Sequence, residues 1–133
     1  MSNRTIITFG TFDMFHIGHL RILERARSYG DSLVVGVSSD SLNIKKKGFA
    51  PLFSQDDRSS IIQALRCVDH VFIEESLELK RQYILNFQAR LLVMGADWTG
   101  KFDSLGDICE VKYLERTPDI SSTLIKERIR FPL

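Results

Sequence analysis

The stretch Gly10-Thr11-Phe12-Asp13-Met14-Phe15-His16-Ile17-Gly18-His19 decides how the rest of the chain is read. The apolar run Ile6-Ile7-Thr8-Phe9 precedes it. A helical spacing of Leu20, Ile22, Leu23 and Ala26 follows, with Arg21, Glu24, Arg25 and Arg27 on the other side. A buried strand therefore feeds an amphipathic helix through this turn. In open α/β sheets that corner, at the carboxyl end of a strand, is where ligands bind. Histidines three apart on a first helical turn share one face. The unpaired N–H groups and the positive dipole end of the helix point the same way, so an anion there meets backbone and imidazole donors together. Gly10 and Gly18 are expected to let a bulky phosphate chain approach the backbone. The purely structural alternative has His16 and His19 capping the helix and Asp13 making a turn.

Outward from that corner the pattern repeats. Gly30 is read as the helix stop, and Ser32 to Ser38 as a second buried strand, giving a βαβ unit with parallel strands. Residues 39–53 read as irregular, carrying Lys45-Lys46-Lys47-Gly48 and Pro51. A lysine run of this kind is either a solvated loop or a flexible loop that closes over phosphates. Ser54 and Asp57 have capping-box spacing and open a helix through Ile61, Ile62 and Leu65. Arg66 lies at its end, where the dipole alone would favour it. Cys67 to Ile73, Arg90 to Gly95 and Cys109 to Leu114 read as further strands, and Leu77 to Phe87 as a further helix. Trp98 is either a core anchor or a cleft residue, and Asp97 either a loop cap or a ligand group. Ser121, Ser122 and Thr123 open a last helix from Leu124 to Arg130. Three hydroxyls exceed what one N-cap needs.

Composition sets the outer bounds. The 133 residues suit one domain, spanning 1–133, with a proper core. With 44% hydrophobic and 26% charged residues and a net charge of +1, no global field argues for nucleic acid or a membrane surface, so any anion site is local. Cys67 and Cys109 form no C-x-x-C and read as reduced residues of a cytoplasmic protein. No signal-peptide core is present, and no apolar run approaches the ~18 residues of a membrane helix.

The motif G-T-F-D-x-F-H-x-G-H resembles the signature of the cytidylyltransferase-like nucleotidyltransferases, whose H-x-G-H element is related to the class I synthetase motif. Arg66-Cys67-Val68-Asp69 is similar to the family's R-Y-V-D segment, with Cys67 in place of Tyr. Met94-Gly95-Ala96-Asp97-Trp98-Thr99-Gly100-Lys101-Phe102 resembles the M-G-x-D-W-x-G-K-F segment of glycerol-3-phosphate cytidylyltransferases. Arg116-Thr117-Pro118-Asp119-Ile120-Ser121-Ser122-Thr123 resembles the R-T-x-G-I-S-T-T phosphate loop, with Asp119 in place of Gly. The resemblance implies an α/β fold: a single Rossmann-like domain, a five-stranded parallel sheet in the order 3-2-1-4-5, and helices on both faces.

It also implies transfer of a cytidylyl group from CTP to a polyol phosphate, glycerol 3-phosphate first, giving CDP-glycerol and pyrophosphate. His16, His19, Lys46 and Arg66 would be catalytic. Gly10, Thr11, Phe12, Asp13, Gly18, Met94, Asp97, Arg116, Thr117, Ile120, Ser121, Ser122 and Thr123 would hold the nucleotide. Lys45, Lys46, Lys47 and Lys80 would hold the acceptor. Mg²⁺ is expected with CTP, bound through phosphates and water rather than through a protein metal cluster. A homodimer is expected, with no nucleic-acid or membrane partner. Because Leu77 stands where relatives show Trp, another alcohol or sugar-alcohol phosphate, or an ATP-using relative, stays open as the activity. A non-catalytic nucleotide-binding module is the rival from a different class.

Overall fold

Ile6 and Ile7 point to opposite faces of the sheet and are both fully buried, so the first strand can only be central. This strand, β1 (Thr5–Gly10), pairs in parallel with β2 (Ser32–Ser38) on one side and β4 (Leu91–Gly95) on the other. β3 (His70–Glu74) lies outside β2, and β5 (Glu110–Leu114) outside β4. The order β3-β2-β1-β4-β5, all parallel, is the one expected. The computed structural model describes residues 4–116 and 122–131.

Helices cover both faces. One core joins Ile6, Leu33, Val35, Val37, Leu91 and Val93 to Leu23 and Ala26 of α1 (Ile17–Arg27) and Ile62 of α3 (Gln55–Gln63). The other joins Ile7, Phe9, Val34, Leu92 and Met94 to Ile84 of α4 (Lys80–Asn86) and to Leu105 and Cys109. A short 3₁₀ turn, Leu77–Leu79, leads into α4, and two more, Ala96–Trp98 and Asp103–Asp107, join β4 to β5. The last helix is α5 (Ser122–Arg130). No helix is long and apolar enough to cross a membrane among the described residues.

Two local readings are corrected. The segment read as irregular holds a helix, α2 (Asp40–Lys47). Its stop and start signals are in the sequence. Ser39 caps it by accepting from the Leu42 N–H at 3.0 Å, and Asp40 sits in the first turn. Lys45 to Lys47 complement the negative end of the dipole, and Gly48 closes it in the left-handed region at φ 84°. The lysines are thus carried on a capped helix and not on a flexible loop.

Gly30 does not close α1 as a left-handed residue, because Ser28 is the C-cap. Gly30 is small because a Cβ there would lie 2.4 Å from the Arg4 carbonyl. Gly10 also makes room for protein: a Cβ would lie 2.8 Å from the buried Phe12 ring.

Candidate functional site

The order of the strands reverses between β1 and β4, and a cleft of about 650 Å³ opens at their carboxyl ends. β1 and the turn after it bring Gly10, Thr11, Phe12 and Asp13 to this cleft, and α1 brings His19. Lys46 and Lys47 arrive from α2, Glu74 from β3, Lys80 from α4, and Met94, Asp97 and Trp98 from β4 and its 3₁₀ turn. Thr123 and Lys126 come from α5. The start of the chain and its last helix therefore meet across one cavity.

The turn that delivers the histidines is held in a costly shape. Phe12 and Met14 both have positive φ, 54° and 48°, which side-chain-bearing residues rarely adopt. Asp13 stabilises the arrangement. Its carboxylate accepts from the backbone N–H groups of Met14, Leu52 and Phe53 at 3.1, 2.7 and 3.0 Å. Asp13 is thus a clamp between this turn and the segment before α3. Arg58 completes it from α3. Fully buried, it donates to the carbonyls of Thr11 and Phe53 and to the Asp40 carboxylate at 2.8, 2.9 and 2.7 Å. Sequence reading passed over Arg58 as one more helical charge. Its one signal was an Arg on the face that also presents Ile62 to the core.

The two imidazoles cap α1 and stack on each other, ring centroids 3.8 Å apart and 22° from parallel. The Gly18 N–H donates to His16 Nδ1 at 3.0 Å, and the His16 N–H donates to His19 Nδ1 at 3.2 Å. A backbone N–H can only donate, so both Nδ1 atoms are unprotonated acceptors. Each ring is then the neutral tautomer with its proton on Nε2. Burial favours the same state. It lowers the His16 pKa, and takes His19 down to about 4, helped by His16 and opposed by Asp13. Neither Nε2–H has a hydrogen-bond partner among the described residues. The capping alternative holds and is compatible with the donor reading: the cap sets the ring orientation and engages only Nδ1 of each ring among the described residues.

Elsewhere the predicted residues divide. Lys80 is buried, ion-paired with Glu74, and stands over the Phe9 ring at 4.4 Å and the Phe102 ring at 5.3 Å. Burial lowers the pKa of Lys80, with Glu74 opposing, and burial lowers that of Lys46 too, again against Glu74. Lys45 is exposed and does not line the cavity. Arg66 does not line it either. α3 ends at Gln63, and Arg66 is exposed in the turn entering β3, on the edge where strands begin rather than end. Trp98 is a cleft residue, 40% exposed, and not a core anchor. Arg116 is ion-paired with Asp97 across the tips of β4 and β5. Thr117, Ile120 and Ser121 lie outside the described residues, as does Asp119, and Ser122 is described only as the first residue of α5. Among the described residues no three His, Cys, Asp or Glu side chains gather to hold an ion.

Comparison with known proteins agrees with this geometry. The family model described as cytidylyltransferase-like matches residues 7–128. The chain is 48% identical over 126 residues to the glycerol-3-phosphate cytidylyltransferase of Bacillus subtilis (strain 168), covering 95% of this chain and 97% of that protein. It is 43% identical to the glycerol-3-phosphate cytidylyltransferase of Bacillus spizizenii, over 93% of this chain and 95% of that one. In fold it is similar to the lipopolysaccharide core biosynthesis protein of Thermoplasma volcanium, with a TM-score of 0.73 at 23% identity, covering 87% of this chain and 99% of that one.

Proposed function

Because the chain belongs to the cytidylyltransferase-like family, we propose that it transfers the cytidylyl group of CTP to glycerol 3-phosphate, releasing pyrophosphate and forming CDP-glycerol. The observation that carries this reading is the stacked pair of neutral imidazoles at the start of α1, beside a cavity that also holds Lys46, Lys47, Lys80 and Lys126. A phosphate oxygen of the acceptor attacks the α phosphorus of CTP, and the bond to the bridging oxygen of pyrophosphate breaks. No protein nucleophile takes part. Charge grows on the phosphoryl oxygens and on the leaving group, and fixed donors that need no reorganisation stabilise it. The Nε2–H groups of His16 and His19 serve the α phosphoryl oxygens, the helix start adds its N–H dipoles, and Lys46, Lys47, Lys126 and Arg116 neutralise the remaining phosphates.

Magnesium fits this site as an ion carried by the triphosphate, because the cavity's three carboxylates are already engaged: Asp13 by backbone N–H groups, Glu74 by Lys80 and Asp97 by Arg116. Asp97, exposed at the tip of β4 beside Arg116, is the carboxylate of the three that would reach it, directly or through water. The ion would supply further charge neutralisation. A homodimer and a cytoplasmic location belong to the same proposal, and sedimentation at micromolar concentration checks the first. The activity itself is tested by pyrophosphate release from CTP and Mg²⁺ with glycerol 3-phosphate and a panel of other polyol phosphates, repeated with ATP. Release with CTP and glycerol 3-phosphate is expected to be fastest. Nucleotide binding without release under any condition would replace the enzyme by a binding module.

A further inference from the structure

Glu74 ends β3 and is 1% exposed, an expensive place for a carboxylate. One oxygen, Oε2, accepts from Lys80. The other, Oε1, accepts no hydrogen bond among the described residues. Yet no buried side-chain oxygen or nitrogen among them lacks a partner, so Oε1 opens onto the cavity that Glu74 lines. The Phe9 and Phe102 rings that flank Lys80 line the same cavity, as does Leu77, and the charges of Lys80 and Lys46 both interact with that of Glu74. The backbone here is fixed, since the Glu74 carbonyl accepts from the Ser39 N–H at 2.9 Å.

When substrate displaces water from this end, Oε1 needs a hydrogen-bond donor. Ionised phosphates have none to give, whereas the hydroxyls of a polyol do. Asp97 and Arg116 lie at the β4–β5 end of the sheet and Glu74 at the β3 end, on the side of the acceptor lysines. Building on the proposed transfer to a polyol phosphate, we infer that Glu74 Oε1 accepts a hydrogen bond from a hydroxyl of the acceptor. Glu74 is thereby the residue that selects a hydroxylated acceptor over a plain alkyl phosphate. Lys80, already neutralised by Glu74, orients this carboxylate and does not act as an independent phosphate-binding charge.

The test compares glycerol 3-phosphate with its two monodeoxy analogues and with propyl phosphate, in the wild type and in Glu74→Gln. In the variant the Lys80 ammonium, a donor only, holds the amide oxygen and turns the NH₂ group to the cavity, replacing an acceptor with a donor. The wild type is expected to lose roughly 10- to 100-fold in kcat/KM when the bonded hydroxyl is removed, the range for a hydrogen bond to a charged group. Glu74→Gln is expected to lose that discrimination while the KM for CTP stays within about twofold. If Glu74→Gln does not fold, the doubly neutral Glu74→Gln/Lys80→Met variant gives the same ratio. Equal losses on all acceptors, or a rise in the KM for CTP alone, would overturn the assignment. Wild-type turnover of propyl phosphate as fast as glycerol 3-phosphate would overturn it too. Absence of any pyrophosphate release from the wild type would instead refute the proposed transfer, and the selectivity with it.

Discussion

In the proposed transfer His16 holds two tasks on one ring. Its Nδ1 caps α1 by accepting from Gly18, and its Nε2–H is left for the α phosphate. The tasks separate by substitution. His16→Ala loses both, and is expected to cost about 1 kcal/mol of stability, the usual value of an N-cap. It also lowers kcat by roughly 10²-fold, the scale of one preorganised oxyanion donor. His16→Asn keeps a capping oxygen, so Tm recovers while kcat does not. Thermal melts beside a pyrophosphate assay check this, and recovery of turnover in the Asn variant would deny the ring a role in transfer. His19 makes a prediction about pH. Its folded pKa, about 4, lies below the usual 6.5, so between these values the unfolded chain binds more protons than the folded one. Its contribution to stability is therefore complete above pH 6.5 and falls away as pH drops toward 4. Urea melts across that window should show a steeper loss in the wild type than in His19→Gln. Parallel curves would mean the imidazole titrates normally in the fold.

Among the elements, α2 and α3 show what was legible and what was not. Runs such as Ile6-Ile7 and Leu91-Leu92-Val93 give the buried parallel strands directly, because both faces of such a strand must be apolar. α2 was missed although every cap is written in it, since only Leu42 and Asn43 are buried and the hydrophobic period is too thin to register. Lys46 and Lys47 line the cavity from a capped helix and not from the flexible loop that the sequence suggests. Arg58 is invisible in the sequence because two of its three partners are main-chain carbonyls, of Thr11 and Phe53, and backbone positions carry no letter. Yet Arg58 ties α3 to α2 through Asp40, and to the histidine turn through the Thr11 carbonyl. Replacing it by Met leaves two carbonyls and a half-exposed carboxylate without their donor. The expected loss is about 3 kcal/mol, at the lower end for breaking a buried pair because Asp40 is partly hydrated. That corresponds to a drop in Tm of roughly 10 °C. Because the turn at positive φ loses its anchor, kcat should fall with it. A stable Arg58→Met enzyme of normal turnover would show that Asp13 alone suffices to hold the turn.

At the scale of the whole molecule, the sheet brings residues more than a hundred positions apart to one cavity. The first turn of α1 supplies His19, and α5 supplies Thr123 and Lys126 to the same cavity. α5 lies mostly exposed, so its part in the site is separable from its part in the fold. A ligand bound by both halves should stabilise the folded chain by RT ln(1 + [L]/Kd), about 2.7 kcal/mol at a hundredfold excess over Kd. For a chain of this size that raises Tm by roughly 8 to 12 °C. Thr123→Ala/Lys126→Ala removes two exposed side chains, and surface changes of this kind move stability by about 0.5 kcal/mol or less. Without nucleotide, its melt should therefore overlay the wild type. With Mg²⁺–CTP, its shift should shrink by several degrees at the same ligand concentration, because Kd rises when a cation and a hydroxyl leave the phosphate. His19→Gln should shrink the shift as well, from the opposite half of the sheet. An undiminished shift in the α5 variant, with His19→Gln still affected, would confine the triphosphate to the first half of the chain and leave the last helix outside the site.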